Sequence, residues 1–408
     1  MKKHLLFISL LIFALNSFGE EVKSKKGFDL KIYGQIRADL FYNSRANVES
    51  VDGLFYSYPM DHNYDANGND LNDQDNSNMY LVYSRLGVDV KGPKLGSAKT
   101  SAKIEFDFRG SGSTLSTVRL RHAYLNLDWG KSSVLVGQTW NPLYGEVAPQ
   151  ILNLNMGAPF QPFSRAPQVR YRFNHKGLQL TATALWQSQY TSNGPDGKSN
   201  KYIKNSCVPE FYFGADYKTS NFIVGAGVDV ISLVPRTQST VGDNVYKVTE
   251  RVTSVSPEVH IKYTTPMWYI AAKSVFGSNL THTSMLGGYG VSGIDAVTGE
   301  QSYSPNRNSS SWVNVVYGKK WKVGVFGGYM KNLGTTDAVS KMYGTGTDID
   351  QLLCGSAEVT YNLPHWRFGV EYNYTTAWYG DLNPTNGKII NTHSVGNNRI
   401  VASATFMF

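Results

Sequence analysis

From Ile32 to Asn43 apolar and polar side chains take turns. Ile32, Gly34, Ile36, Ala38, Leu40 and Tyr42 fall on one side, and Tyr33, Gln35, Arg37, Asp39, Phe41 and Asn43 on the other. A period of two with one apolar face predicts a β-strand. Ala98 to Arg109 repeats the pattern with a harder contrast, setting Ala98, Thr100, Ala102, Ile104, Phe106 and Phe108 against Lys99, Ser101, Lys103, Glu105, Asp107 and Arg109. Six polar or charged side chains on one face need water, either outside a soluble sandwich or inside a membrane barrel. Trp366 to Thr376 and Asn398 to Phe408 carry the same alternation to the last residue, an aromatic.

Connection lengths separate the two cases, because bacterial barrels alternate short periplasmic turns with long outer loops. Short connections fall near Gly92 to Ser97, Trp129 to Ser132, His175 to Gly177, Lys218 to Asn221, Thr264 to Met267, Lys319 to Lys320 and Asn362 to His365. Long ones fall at Ser44 to Asn78, Gly110 to Ser116, Asn141 to Pro167, Thr191 to Cys207, Pro235 to Val252, Gly277 to Ser309, Asn332 to Asp350 and Asp381 to Gly396. This succession predicts an all-β fold, a transmembrane antiparallel β-barrel of about 16 strands. Aromatics beside the turns, among them Tyr263, Trp268, Tyr317, Trp321, Trp366, Trp378 and Tyr379, are expected in the two headgroup girdles.

The third long loop breaks the pattern. Asn141 to Pro167 holds five prolines and two glycines among large apolar side chains, including Leu143, Tyr144, Ile151, Leu152, Leu154, Met156, Phe160 and Phe163. Such a segment is neither a ladder strand nor a solvated linker. It is expected to fold into the lumen and form the constriction.

Composition agrees with a barrel. There are 26 Tyr and 8 Trp, charged residues are only 17%, and mean hydropathy is negative, as expected when apolar positions alternate instead of clustering. Residues 1–19, with Lys2, Lys3 and an apolar run from Leu5 to Leu15, read as a cleaved signal peptide, leaving 20–408 as the barrel. Removing Lys2 and Lys3 lowers the net charge from +8 to +6, and no basic module for nucleic acid is present. Only Glu20 to Asp29 precede the first strand, too little for a plug domain. Cys207 and Cys354 leave paired and free thiols equally open.

Four motifs carry a family resemblance: Ser84-Arg-Leu-Gly-Val, Ile104-Glu-Phe-Asp-Phe, Arg119-Leu-Arg-His-Ala-Tyr-Leu and Val136-Gly-Gln-Thr-Trp-Asn-Pro. Together they resemble the amino-terminal half of trimeric Gram-negative porins of the DcaP-like and phosphate-selective types. The resemblance implies a homotrimer of sixteen-stranded barrels in the bacterial outer membrane, with the third outer loop inside each channel and a preference for anionic solutes. The chain departs from it in lacking an amino-terminal heptad extension and a dense lysine run.

The inward faces supply the candidate selectivity residues. Arg37, Arg85, Lys99, Lys103, Arg109, Arg170, Arg172 and Arg399 make a basic wall, with Glu146 opposing it from the inward loop. Arg119 and Arg121 join the wall if a β-bulge near His122 resets the register, since Ala123, Leu125 and Leu127 face outward. A wet arginine wall concentrates anions, and its planar forks suit carboxylate or phosphate. Asp39, Asp89, Glu105 and Asp107 on the same strands could instead neutralise it in a salt-bridge network.

The expected function is passive diffusion of small polar solutes, anions preferred, with no cofactor or metal. Alternatives are a sugar-preferring channel using Tyr33, Tyr83, Tyr124 and Trp312, and a non-conducting barrel displaying its loops. Enzyme readings are set aside: adjacent His393 and Ser394 point to opposite faces of a strand. The Asp65 to Asp70 stretch lacks the glycine and glutamate of a calcium loop. Small outward residues on the early strands make strands one to five, with the last, the expected trimer surface.

Overall fold

A computed structural model describes residues 22–23, 27–50, 53–110 and 116–408. The expected signal peptide at 1–19 lies outside the described residues. Sixteen antiparallel strands close into one barrel. They are β1 (Asp29–Asn43), β2 (Arg85–Leu95), β3 (Ala98–Gly110), β4 (Thr117–Asp128), β5 (Ser132–Trp140), β6 (Arg165–His175), β7 (Leu178–Leu185) and β8 (Glu210–Lys218). The second half comprises β9 (Phe222–Leu233), β10 (Val252–Thr264), β11 (Trp268–Ser278), β12 (Gln301–Gly318), β13 (Trp321–Gly334), β14 (Ile349–Asn362), β15 (Trp366–Leu382) and β16 (Ile389–Met407).

Closure follows from the alternation at the chain's two ends. Ile36 pairs with Phe406 and Ala38 with Ala404, and the Phe408 N–H donates to the Gly34 carbonyl at 3.1 Å while Gly34 N–H donates back at 2.9 Å. The last residue is therefore part of the seam. Along β1 the outward Ile36 is 53% exposed and the inward Arg37 3%. With a low-dielectric exterior the unpaired edge disappears, as a spanning sheet requires.

Two irregularities re-aim side chains. In β4, His122 pairs with Glu105 and Leu120 with Phe106, leaving Arg121 as the extra residue. This is the bulge expected near His122, and it turns Arg119, Arg121 and His122 all inward. The other was not anticipated. Asn76–Tyr80 pairs with the outer part of β1 before β2 begins, and between those pairings Leu81 to Ser84 face only Ile36 to Ala38. The one extra residue leaves Leu81 outward and carries Val82 and Tyr83 inward, both buried.

Short turns lie where expected, but two outer loops were placed too long. β12 begins at Gln301, inside the expected loop, and its outer part pairs with a separate strand, Gly287–Ile294. β15 and β16 extend towards each other until only residues 383–388 join them. Several outer loops fold on their own terms. Asn47–Ser50 pairs with Phe55–Pro59 as a hairpin, Gln238–Val241 with Asn244–Lys247 as another, and α1 (Lys201–Ser206) is a short helix.

The turn-side girdle is clear. Trp268 lies 4.5 Å from Tyr317, Trp321 4.7 Å from Tyr361 and Trp366 4.9 Å from Phe406, ring centre to ring centre. Their amphipathic rings suit the headgroup zone. Tyr379 is a correction: it is buried, and its hydroxyl donates to the Pro59 carbonyl at 2.7 Å.

Candidate functional site

The segment 141–164 starts from a root fixed by one side chain. Asn141 donates to Glu210 at 2.9 Å, accepts the Leu143 N–H at 2.9 Å, and its own N–H donates to the Ser164 carbonyl. The segment's backbone groups then meet partners on strands far around the barrel. Lys273 of β11 donates to the Leu143 carbonyl at 2.6 Å, and Tyr269 of the same strand to the Ala148 carbonyl at 2.5 Å. From β12, Asn314 accepts the Gln150 N–H, Trp312 donates to the Gln161 side chain and Ser310 to the Phe160 carbonyl. Glu371 of β15 accepts the Leu152 and Asn153 N–H groups at 2.6 and 3.0 Å, and Arg37 of β1 donates to the Leu152 carbonyl at 2.7 Å. Backbone without a ladder must find such partners when buried.

Apolar packing completes the attachment. Phe160 and Val147 join Tyr58 of the first outer hairpin, Leu286 of a later loop, and Tyr269, Trp312, Phe326, Met330 and Leu352 of the wall in one buried cluster. The inner face of β11 to β15 is thus apolar where the segment lies on it. The first hairpin takes part directly: Asn155 donates to the Tyr56 carbonyl. Its alternating Phe55, Tyr56 and Tyr58 carried a signal that could have placed it inward.

Between residues 149–156 and the wall lies a cavity of about 610 Å³. Arg37, Arg85, Lys103, Arg121, Lys322 and Arg367 line it, against the carboxylates of Glu105 and Glu358, while the segment contributes Pro149, Ile151, Leu152 and Met156. Four of the expected site residues therefore meet here, and Lys322, Glu358 and Arg367, not among the expected selectivity residues, join from β13, β14 and β15. Inward alternation marked Arg367 and could have marked the others.

The cations differ in how far they are neutralised. Arg37 holds Asp39 at 2.7 Å, Lys103 holds Asp89 at 2.9 Å, and Arg121 reaches Glu105 at 2.5 Å and Asp107 at 2.9 Å. Arg85 approaches Glu105 only to 3.9 Å. Among the described residues Lys322 and Arg367 make no ion pair. The salt-bridge network is real but leaves a cationic surplus.

A second cavity, about 250 Å³, contains Arg170, Arg172 and Glu146 together with Lys218, Asp216 and His260. Glu146 lies 2.8 Å from Lys218 and 3.7 Å from Arg172. Of the expected basic wall it meets the β6 part, Arg172, while neutral residues 149–156 face the part on β1 to β4. Arg170 donates to the Trp140 carbonyl at 2.6 Å.

Four of the expected basic residues, Arg119, Arg399, Lys99 and Arg109, line neither cavity. Arg119 forms a fork on Asp107, at 3.0 and 2.7 Å. Arg399 is 1% exposed, donating to Asn43 and to the Gly53 carbonyl beneath the first outer hairpin. Lys99 is exposed near a turn, and Arg109 is buried beside Asp107. Of the other motifs, Asp65 accepts the Asn67 and Asn69 N–H groups of its own turn. Cys207 and Cys354 are both free thiols.

The model of the family described as DcaP outer membrane protein matches residues 16–226, more than half of the chain. The chain belongs to the DcaP outer membrane protein family. Its place is the bacterial outer membrane, and the family is one of porin-like channels. The DcaP fold is evident in solved structures too. The outer membrane channel DcaP of Acinetobacter baumannii superposes with a TM-score of 0.67 at 19% identity, covering 95% of this chain and 99% of that one. OmpT of Vibrio cholerae gives 0.56 at 14% identity, over 95% and 100%, and OmpF of Salmonella typhi 0.53 at 15%, over 95% and 100%. A search of curated proteins returned no match.

Proposed function

We propose that this DcaP-family barrel is a passive channel for small polar solutes with a preference for anions, carboxylates or phosphate-like groups among them. The segment 141–164 folds into the lumen and narrows it, and solutes pass between residues 149–156 and the basic wall. One observation carries the reading: six cationic side chains against two carboxylates line the 610 Å³ cavity. A cationic surplus on walls of low dielectric raises the local concentration of anions and repels cations. Neutral residues on the opposite side add no opposing charge.

The working unit is a homotrimer in lipid. A shallow outward groove where Ala38, Ala402 and Ala404 lie between larger side chains such as Leu40, Met79 and Phe368 supports contact between barrels at the β1 and β16 seam, and one form of OmpT of Vibrio cholerae is described as a trimer. The apolar cluster joining Tyr58, Phe160 and Leu286 to the wall favours a second reading, a barrel closed by its own loops.

Planar-bilayer recording under a potassium chloride gradient tests both. The expected result is conductance in groups of three steps with a reversal potential on the chloride side. A barrel that never conducts moves the weight to the closed reading, and reversal on the potassium side removes the anion preference.

A further inference from the structure

Three of the cavity's arginines and the neighbouring Arg109 surround a single ring. The guanidinium carbons of Arg85, Arg37, Arg109 and Arg121 lie 4.5, 5.2, 5.2 and 5.7 Å from the centre of Tyr83. All fall within the roughly 6 Å over which a cation feels a ring's negative face. Carboxylates do not account for this gathering. Asp39, Glu105 and Asp107 pair with Arg37, Arg85 and Arg121 and with Arg119 as well, and among the described residues Arg109 has no ion pair. Arg109 is 2% exposed with its Nε and Nη1 unpartnered. Like charges crowded in this way repel, and side chains with this length of stem would otherwise swing to water or collapse onto the acids.

The ring's position is built into the wall. The extra residue between the two pairings of β1 carries Tyr83 inward, and the turn is fastened on both sides: Ser84 Oγ accepts the Arg37 N–H at 3.1 Å, and the Val82 carbonyl accepts the Phe108 N–H at 3.2 Å. Tyr83, Arg37, Arg85 and Arg121 all line the cavity. We infer that Tyr83 is a positioning residue for selectivity, its ring holding the guanidinium groups fanned over the cavity with N–H edges left for passing anions.

This role rests on the anion-channel reading and adds a residue to it. The test compares the parent with Tyr83→Phe, which keeps the ring, and Tyr83→Met, which fills the space without one. The measurements are reversal potential in a potassium chloride gradient and a structure of each variant by electron cryo-microscopy. The expected result is a chloride-to-potassium permeability ratio within twofold of the parent for Tyr83→Phe and lowered at least threefold for Tyr83→Met, with Arg85 and Arg37 moved towards Glu105 and Asp39. An unchanged ratio in a folded Tyr83→Met barrel overturns the proposal, as does an equal loss in Tyr83→Phe, which would assign the effect to the hydroxyl. Should the parent prefer potassium, the anion reading fails by itself. The structures then decide about Tyr83, and guanidinium groups unmoved in Tyr83→Met overturn its role. If Tyr83→Met does not insert, Tyr83→Leu takes its place under the same criteria.

Discussion

Lys322→Gln removes a charge from the cavity without uncovering another. Lys322 lines the 610 Å³ space and makes no ion pair among the described residues, so no buried carboxylate is stranded by its loss. A sphere of that volume has a radius of about 5 Å, which puts an ion at its centre roughly 6 Å from the ammonium nitrogen, where Coulomb's law in water gives about 0.7 kcal/mol. Screening with a Debye length of ~8 Å at 0.15 M salt halves this to about 0.33 kcal/mol. The anion loses that stabilisation and the cation is relieved of an equal penalty, so the two add to about 0.66 kcal/mol, a threefold fall in the permeability ratio. At low salt the same sum approaches tenfold. The assay is the reversal potential of parent and variant at two salt concentrations, with thermal unfolding as a control. Unchanged selectivity at low salt would refute the placement of the permeation path beside residues 149–156, since a path there cannot leave so near a charge silent.

Three further expectations follow from the contacts. Arg121→Ala takes one partner from buried Glu105 and Asp107, leaving Asp107 the Arg119 fork and Glu105 the Tyr33 hydroxyl and a distant Arg85; the expected cost lies below the about 3–5 kcal/mol of leaving a buried charge wholly unpaired, and a lowered unfolding temperature measured in detergent checks it. Glu371→Ala frees the Leu152 and Asn153 N–H groups, at about 1–3 kcal/mol for each orphaned group. Arg37 and Asn314 still hold the segment's neighbours, so the expected result is added open-channel noise in single-channel records, with the mean conductance changed less than the noise. In the first outer loop, burial raises Asp70's proton affinity but the Asn63 N–H, His62 and Arg45 outweigh it and hold the carboxyl well below the usual range. A depressed carboxylate contributes stability above the unfolded value near 4 and loses it only as pH falls through the depressed one. Protease resistance of this loop should therefore persist to about pH 3 in the parent and drop at neutral pH in Asp70→Asn.

Alternation carried the fold because a barrel puts one face of every strand in lipid, so period two survives along the whole chain. Ile36 and Arg37, Ile104 and Glu105, Tyr372 and Asn373 all face as their parity requires. Even the bulge at Arg121 was legible, since Arg119 and Leu125 cannot both obey one phase. Parity says which face, however, and nothing about depth or partner. Arg399 and Arg85 share the inward phase, yet one lies under the first hairpin and the other lines the cavity. That difference depends on which outer loops cover which part of the wall, and the first loop holds an unanticipated hairpin whose Tyr56 and Tyr58 are buried. Which part of the wall Glu146 meets was not legible for a related reason: a segment without regular period carries no rule for which way a side chain points.

The late strands show the other limit. Alternation places Arg367 inward without marking it as a selectivity residue, and Lys322 follows Lys319 and Lys320 at a turn, where its inward phase does not stand out, whereas the early arginines crowd together with the carboxylates that neutralise them. Arg37 and Asp39, two apart on one face, are bound to meet. Lys322 makes no ion pair among the described residues, and in the cavity it faces Glu358 as well as the other cations. In a wall read from sequence, the conspicuous basic strands therefore mark where ion pairs stitch the scaffold together. On the proposed function, the cations left without an ion pair, Lys322 and Arg367, are the ones whose removal is expected to move selectivity most.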